Sequence, residues 1–269
     1  MSRQHGALSE SMLHTSLIRR LLLLIGCLAA TAPHAAELRV AVAANFKQTA
    51  EELCEAFFEG RDGRCLVTPG ASGLLYGKVT QGAPYDVFLS ADRERPELLE
   101  GRGLAVAGTR FTYAIGRLVL WRPGLAASAD LHALLTDGRI RDLAIANPQT
   151  APYGRAALET LSALHIDAGA FRLVQADSAG KVVQFVASGA ADAGFVSLAQ
   201  VLQYEGASGR NLRDEYVHVD PALHRPIEQQ AVLLAGAANK DVAREFMAFL
   251  ASARGRVIIE SAGYLLPPD

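Results

Sequence analysis

Leu38-Arg39-Val40-Ala41-Val42-Ala43-Ala44-Asn45-Phe46 passes from an apolar, β-branched run straight into a stretch with helical spacing. The first six residues read as a buried strand. Phe46, Ala50, Leu53 and Phe57 then recur at i, i+4, i+7 and i+11, one face of a helix over 46–58. Strand and helix meet directly at Ala44-Asn45. The unit then repeats: Cys65-Leu66-Val67 predicts a strand, Gly70-Ala71-Ser72-Gly73 a tight turn, and 74–81 a helix closed by Gly82. Asp86-Val87-Phe88-Leu89 is a further strand, followed by a helix over 93–100 ended by Gly101. Such alternation is the mark of an α/β protein with largely parallel sheets.

Two extended runs, 111–121 with Gly116 inside it and 229–235 just after Pro226, read as crossovers. Between them lies a unit with its own cycles: strand Leu143-Ala144-Ile145-Ala146, helix 154–164, strand Leu173-Val174, helix 179–187 and strand Gly194-Phe195-Val196. A unit inserted between two crossovers gives two lobes and a hinge. The expected division is lobe one from 37–115 and 228–269, and lobe two from 116–227. Helical patterns over 240–250 and 255–261 return the tail to lobe one. The cleft between such lobes, at the carboxyl ends of the strands, is where α/β proteins hold small ligands.

Ahead of this, 1–36 has the layout of a secretory signal: Arg19-Arg20, then Leu21-Leu22-Leu23-Leu24-Ile25, then small residues ending in Ala35-Ala36. The apolar run falls short of the roughly 20 residues that span a bilayer. Cleavage after Ala36 frees a periplasmic protein. Leu24-Ile25-Gly26-Cys27 also reads as a lipobox that would leave Cys27 acylated and the protein tethered, and Met12 offers a second start. Removal of the signal leaves Cys54 and Cys65, an even pair in an oxidising compartment. They form either one disulfide stapling a helix to the next strand or two buried thiols.

Of the 269 residues, 50% are hydrophobic and 20% charged, the composition of a well-filled globular core. The formal net charge of −2, with no Lys/Arg block, excludes nucleic acid and anionic lipid as partners. No later segment is apolar enough to cross a membrane, and no repeat is present.

Four strand-to-helix junctions carry small or hydrogen-bonding residues and little charge: Ala44-Asn45, Ala71-Ser72-Gly73, Pro152-Tyr153-Gly154 and Ser178-Ala179-Gly180. A helix N-terminus presents free N–H groups and the positive end of the macrodipole. Several converging on one cleft make an anion site without Arg or Lys. Taken singly, Asn45 and Ser72 are also ordinary N-cap types.

These junctions recur in order with more specific stretches. They are Val42-Ala43-Ala44-Asn45-Phe46, Gly70-Ala71-Ser72-Gly73, Gly82-Ala83-Pro84-Tyr85-Asp86-Val87-Phe88-Leu89-Ser90-Ala91-Asp92, Asn147-Pro148 with Ala151-Pro152-Tyr153-Gly154, and Ala193-Gly194-Phe195-Val196. Together they resemble the periplasmic molybdate-binding proteins of ABC transporters over essentially all of 37–267. The resemblance implies a type II periplasmic binding protein fold, a molybdate or tungstate ligand, no cofactor, and a membrane permease as partner. The expected protein is a monomer. It implies ligand contacts from Asn45 and Ser72 in lobe one and from Tyr153 and Ala179 in lobe two. Ser72 would use hydroxyl and N–H, and the others chiefly their N–H groups. Ala44, Gly73 and Ser197 are further candidates. The chain departs from several better-known members at Ala44, where they carry a hydroxyl residue, and from some at Ser197, where they carry a ligand-facing Tyr.

An enzyme is disfavoured. Gly70-Ala71-Ser72-Gly73 lacks the last glycine of a nucleophile elbow, and the seven His residues show neither a catalytic nor a metal-binding spacing. Iron needs hard anionic oxygens, which the junctions do not supply. Sulfate, another tetrahedral oxyanion, is the alternative ligand. Phosphate keeps a proton near neutral pH and so needs an acceptor; Asp177 is near enough to offer one but reads better as a cap of the helix that follows.

Overall fold

The computed structural model describes residues 36–125 and 130–268. The predicted signal, including Met12 and Cys27, lies outside the described residues except for Ala36, which opens the first strand.

Lobe one begins with β1 (Ala36–Ala43), a 3₁₀ turn (Ala44–Phe46) and α1 (Lys47–Phe58). It continues with β2 (Gly63–Gly70), α2 (Ser72–Thr80), β3 (Val87–Ser90), α3 (Glu94–Gly101) and β4 (Phe111–Gly116). One residue later β5 (Leu118–Trp121) starts the second sheet. Lobe two then runs through α4 (Leu131–Thr136), β6 (Asp142–Ala146), α5 (Pro152–Ala163), β7 (Arg172–Ala176), α6 (Ala179–Ala187), β8 (Ala193–Ser197), α7 (Leu198–Ser208) and β9 (Tyr216–His218). The chain returns as β10 (Ile227–Leu233) and ends in α8 (Lys240–Ala251) and α9 (Ala253–Ser261).

The two sheets share one plan, β2-β1-β3-β10-β4 and β7-β6-β8-β5-β9. Three parallel strands lie at one side of each. The fourth arrives from the other lobe and pairs antiparallel: β10 with β3 and β4, and β5 with β8 and β9. The expectation of largely parallel sheets is thus corrected to mixed ones. The run 111–121 breaks at Arg117 into strands of different sheets, so each crossover enters its second sheet against the direction of the βαβ strands.

Sheet one is buried on both faces, and the period of two in its strands sorts the core. Leu38, Val40 and Val42 of β1, Val87 and Leu89 of β3, and Ala231 and Leu233 of β10 pack with Phe46, Leu53, Phe57, Phe246 and Ile259 on the side of α1, α8 and α9. Their alternates Ala41, Phe88 and Val232 face Leu75, Val79 and Leu99 of α2 and α3. Each large side chain so buried stabilises the fold by about 1.5–3 kcal/mol. Trp121, Leu143, Ile145, Val182, Val186 and Phe195 build the separate core of lobe two.

Several boundaries differ from the sequence reading. β2 continues to Gly70 instead of turning there, so α2 begins at Ser72. Gly101 is the last residue of α3, not its stop. The helices α4 and α7 and the edge strand β9 were not legible, since their apolar spacing is weak and short.

Cys54 of α1 and Cys65 of β2 are joined in a disulfide spanning 11 positions, which resolves the two readings of the pair. Reduction, or Cys54→Ser with Cys65→Ser, should lower unfolding free energy by about 3 kcal/mol on the chain-entropy account. Urea titrations with and without reductant will measure it. Equal midpoints would show that the bond adds no stability.

Candidate functional site

β1 and β2 in lobe one, and β6 and β7 in lobe two, all end at the cleft, and each feeds a helical turn: Ala44, Ser72, Pro152 and Ala179. Their starts enclose a narrow cavity lined by Ala43, Ala44, Asn45, Gly70, Ala71, Ser72, Ala91, Ala151, Pro152, Tyr153 and Ala179. Its volume is small, about 10 Å³. Among the described residues, no charged side chain is in the lining. All four primary candidates, Asn45, Ser72, Tyr153 and Ala179, are brought together, and Ala44 joins them. Each is buried, apart from half-buried Ala44. The first N–H groups of a helix lack partners within it, so these starts turn donors toward the cavity.

Local sequence explains each start. At α2 the cap residue is Ala71, which has no side chain to spend on the helix, and Ser72 is the first helical residue. The Ser72 Oγ accepts the Ala91 N–H at 2.9 Å. That bond occupies an acceptor position and leaves the hydroxyl hydrogen free to donate. At α5, Pro152 at the first position is preorganised for a helix and lacks an N–H that would need a partner. Gly154 lets α5 sit on the end of β6, because a Cβ there would come within 1.9 Å of the Ala146 carbonyl oxygen. At α6 the extended Ser178 leads in without a side-chain cap.

Asn45 has a different side-chain role from an N-cap. It sits inside the 3₁₀ turn, and its Nδ2 donates to Gln229 Oε1 at 2.9 Å and to the Tyr264 hydroxyl at 3.3 Å. The Tyr264 hydroxyl in turn donates to the Asn45 carbonyl at 2.7 Å. Tyr113 reaches Gln229 Oε1 at 3.3 Å and the Ser90 carbonyl at 3.2 Å. Phe46 packs on both tyrosine rings, 4.7 and 5.0 Å between centroids. The turn is therefore anchored from behind by Tyr113 of β4, Gln229 of β10 and Tyr264, and its Ala44 and Asn45 line the cavity.

Two further candidates fall outside the lining. Gly73 donates its N–H to the Thr150 carbonyl across the cleft at 2.8 Å. Ser197 caps α7, accepting the Gln200 N–H at 3.2 Å and donating to Gln200 Oε1 at 3.0 Å. Asp177 is corrected too. It is exposed and pairs with Lys181 at 2.5 Å, because the cap position of α6 belongs to Ser178. Ala71 and Pro152 of the junctions also line the cavity, while sequence reasoning missed Ala43, Gly70, Ala91 and Ala151, whose shared signal is small size near strand ends.

The model of the bacterial extracellular solute-binding protein family matches residues 38–265. The molybdate-binding protein ModA of Azotobacter vinelandii is 38% identical over 252 residues, 92% of this chain and 97% of that protein. The chain belongs to this solute-binding protein family. ModA of Rhodobacter capsulatus is 39% identical over 233 residues, 86% of this chain and 89% of its own length. The solved structure of the Azotobacter vinelandii periplasmic molybdate-binding protein superposes with a TM-score of 0.80 at 39% identity, covering 86% of this chain and all of that one. The fold is that of the type II periplasmic binding proteins.

Behind the cavity the phenols stay neutral. Burial pushes Tyr153 well above the ordinary tyrosine value, with Tyr264 adding and the Ser197 hydroxyl opposing. Burial likewise raises Tyr113 and Tyr264. A raised folded value means that this contribution to stability is fully present below the unfolded value of about 10 and is lost as pH climbs past it. Urea midpoints should therefore be equal at pH 8 and 9 and fall at pH 11. A midpoint unchanged at pH 11 would contradict the burial of these phenols.

Proposed function

We propose that this protein captures molybdate or tungstate outside the cytoplasm and delivers it to the membrane permease of an ABC transporter. The observation that carries the proposal is a cavity formed by helix starts from both lobes with, among the described residues, no charged side chain in its lining. The names of the relatives at 38–39% identity point to the same ligand.

In this reading the donors are the N–H groups of Asn45, Ser72, Tyr153 and Ala179 together with the Ser72 hydroxyl; Ala44 adds apolar wall. A buried dianion loses its hydration and must recover it through short bonds. Each bond to a charged acceptor contributes about 1.5–3 kcal/mol net, so five give roughly 8–15 kcal/mol before closure and immobilisation are charged against them. Affinity at or tighter than about micromolar, some 8 kcal/mol, follows.

A cavity that only donates selects fully deprotonated tetrahedral anions, because a protonated phosphate brings a hydrogen that finds no acceptor. Sulfate satisfies the donors equally and must be excluded by size, since the bonds from two lobes meet at a fixed separation. The lobes, 37–115 with 228–269 and 116–227, act as rigid bodies hinged at the two crossovers. The protein works as a monomer and performs no catalysis.

Titration calorimetry on the mature protein should show molybdate and tungstate competing for one site, with sulfate at least tenfold weaker; sulfate equal to molybdate would assign the site to oxyanions generally. Ser72→Ala should weaken molybdate binding by about 1–3 kcal/mol, the cost of an unpaired buried acceptor. An unchanged affinity would limit Ser72 to holding Ala91.

A further inference from the structure

The stretch 82–92 is the most distinctive in the chain, yet only Ala91 of it lines the cavity. Its last residue, Asp92, has another task. The Asp92 carboxylate accepts the Arg95 N–H at 3.0 Å and the Ser90 hydroxyl at 3.1 Å, and it forms an ion pair with the Arg95 guanidinium. Both side chains of that pair are nearly buried, with 10% and 13% exposure. Thus aimed, Arg95 Nη2 crosses the cleft and donates to the Gln149 carbonyl at 3.1 Å.

The same segment of lobe two is gripped at the next residue, where the Gly73 N–H meets the Thr150 carbonyl at 2.8 Å. Gly73 must lack a side chain, because a Cβ would lie 2.9 Å from Thr150 Cα and 3.0 Å from Arg95 Nη2. Residues 147–151 form a tight turn: the Thr150 and Ala151 N–H groups both donate to the Asn147 carbonyl, and Gln149 N–H donates to Asn147 Oδ1. Asn147 N–H donates to the Ala176 carbonyl at the end of β7. Whatever holds this turn therefore holds the starts of both α5 and α6.

We propose that Arg95, oriented by Asp92, is a positioning residue that clasps the 147–151 turn against Gly73 and so keeps the two lobe-two helix starts on the bound anion. Arg95 touches no ligand. It acts on the closed form, in which these contacts are made with or without ligand, and sets how fast the ligand leaves. A planar guanidinium suits this role because it pairs with a carboxylate and still has donors for a carbonyl. Arg95→Lys would keep the charge beside Asp92 and lose the second reach. The proposal rests on the oxyanion reading for its ligand.

Stopped-flow exchange of molybdate, read through protein fluorescence, will separate the rates, and amide hydrogen exchange at Gly73 will report the cross-cleft bond directly. Arg95→Met and Arg95→Lys should both raise the dissociation rate about tenfold, the effect of losing one hydrogen bond from a charged donor. Association should stay within twofold and the Gly73 amide should exchange faster. A residue that merely stabilised lobe one would lower the melting temperature without this split. Dissociation within twofold of wild type, or a loss confined to association, overturns the proposal. If the Arg95 variants do not fold, Gly73→Ala decides: faster release supports the clasp, and wild-type release sinks it. If wild-type protein ignores molybdate, the oxyanion reading fails while Gly73 exchange in unliganded wild type and Arg95→Met still tests the clasp, which an unchanged rate would refute.

Discussion

A fully ionised anion can be held in a dry cavity without a cation only if several oriented dipoles converge on it, and the proposed oxyanion site rests on that requirement. The dipoles are the unpaired amides found at every helix start. Parallel strands put their carboxyl ends on one edge of a sheet, so β1 and β2 present two starts side by side, and β6 and β7 present two more. Facing the two edges across a cleft brings all four together. The mixed sheets, the crossovers and the small residues at each junction follow from needing two such edges in one chain.

Small size at the junctions has a cost in rigidity that the rest of the lobe offsets. Ala44, Ala71 and Ala179 have no side chains with which to fix their own loops. Their positions are set by neighbours: Ser72 by the Ala91 amide, Asn45 by Gln229 and Tyr264, α5 by the close seat of Gly154 on β6. Polar side chains near the cavity thus mostly turn away from it and hold backbone in place. Tyr113 and Tyr264 serve this scaffold through their hydroxyl bonds to the Ser90 and Asn45 carbonyls.

Charge is not absent from the cleft; it is displaced to the rim. The Asp92–Arg95 pair lies outside the cavity lining, and Arg155 of α5 meets Glu94 of α3 at 3.0 Å across the same opening. Arg95, through the Gln149 carbonyl, and the Arg155–Glu94 pair both link lobe one to the beginning of α5 or the turn before it. In the proposed reading a site made only of dipoles selects deprotonated anions, while Arg95 and the Arg155–Glu94 pair at the edge hold the two lobes together. Separating the two tasks keeps a strong point charge out of the recognition step.

The periodicity of apolar residues and the small residues where a strand gives way to a helix are short-range properties, so the α/β class, the order of the main elements and the four junctions were legible from residue types alone. Neither is the meeting of those junctions in one cavity a local matter, nor the antiparallel entry of β5 and β10, nor the inward turn of the Asn45 side chain. Its partners Gln229 and Tyr264 stand 184 and 219 positions away. Weakly patterned α4, α7 and β9 escaped for the converse reason, since packing against the lobe-two core and not their own spacing makes them regular. Sequence determined which backbone groups would be left without partners; only tertiary structure decided where they point, because direction in a folded chain is set by contacts between residues far apart along it.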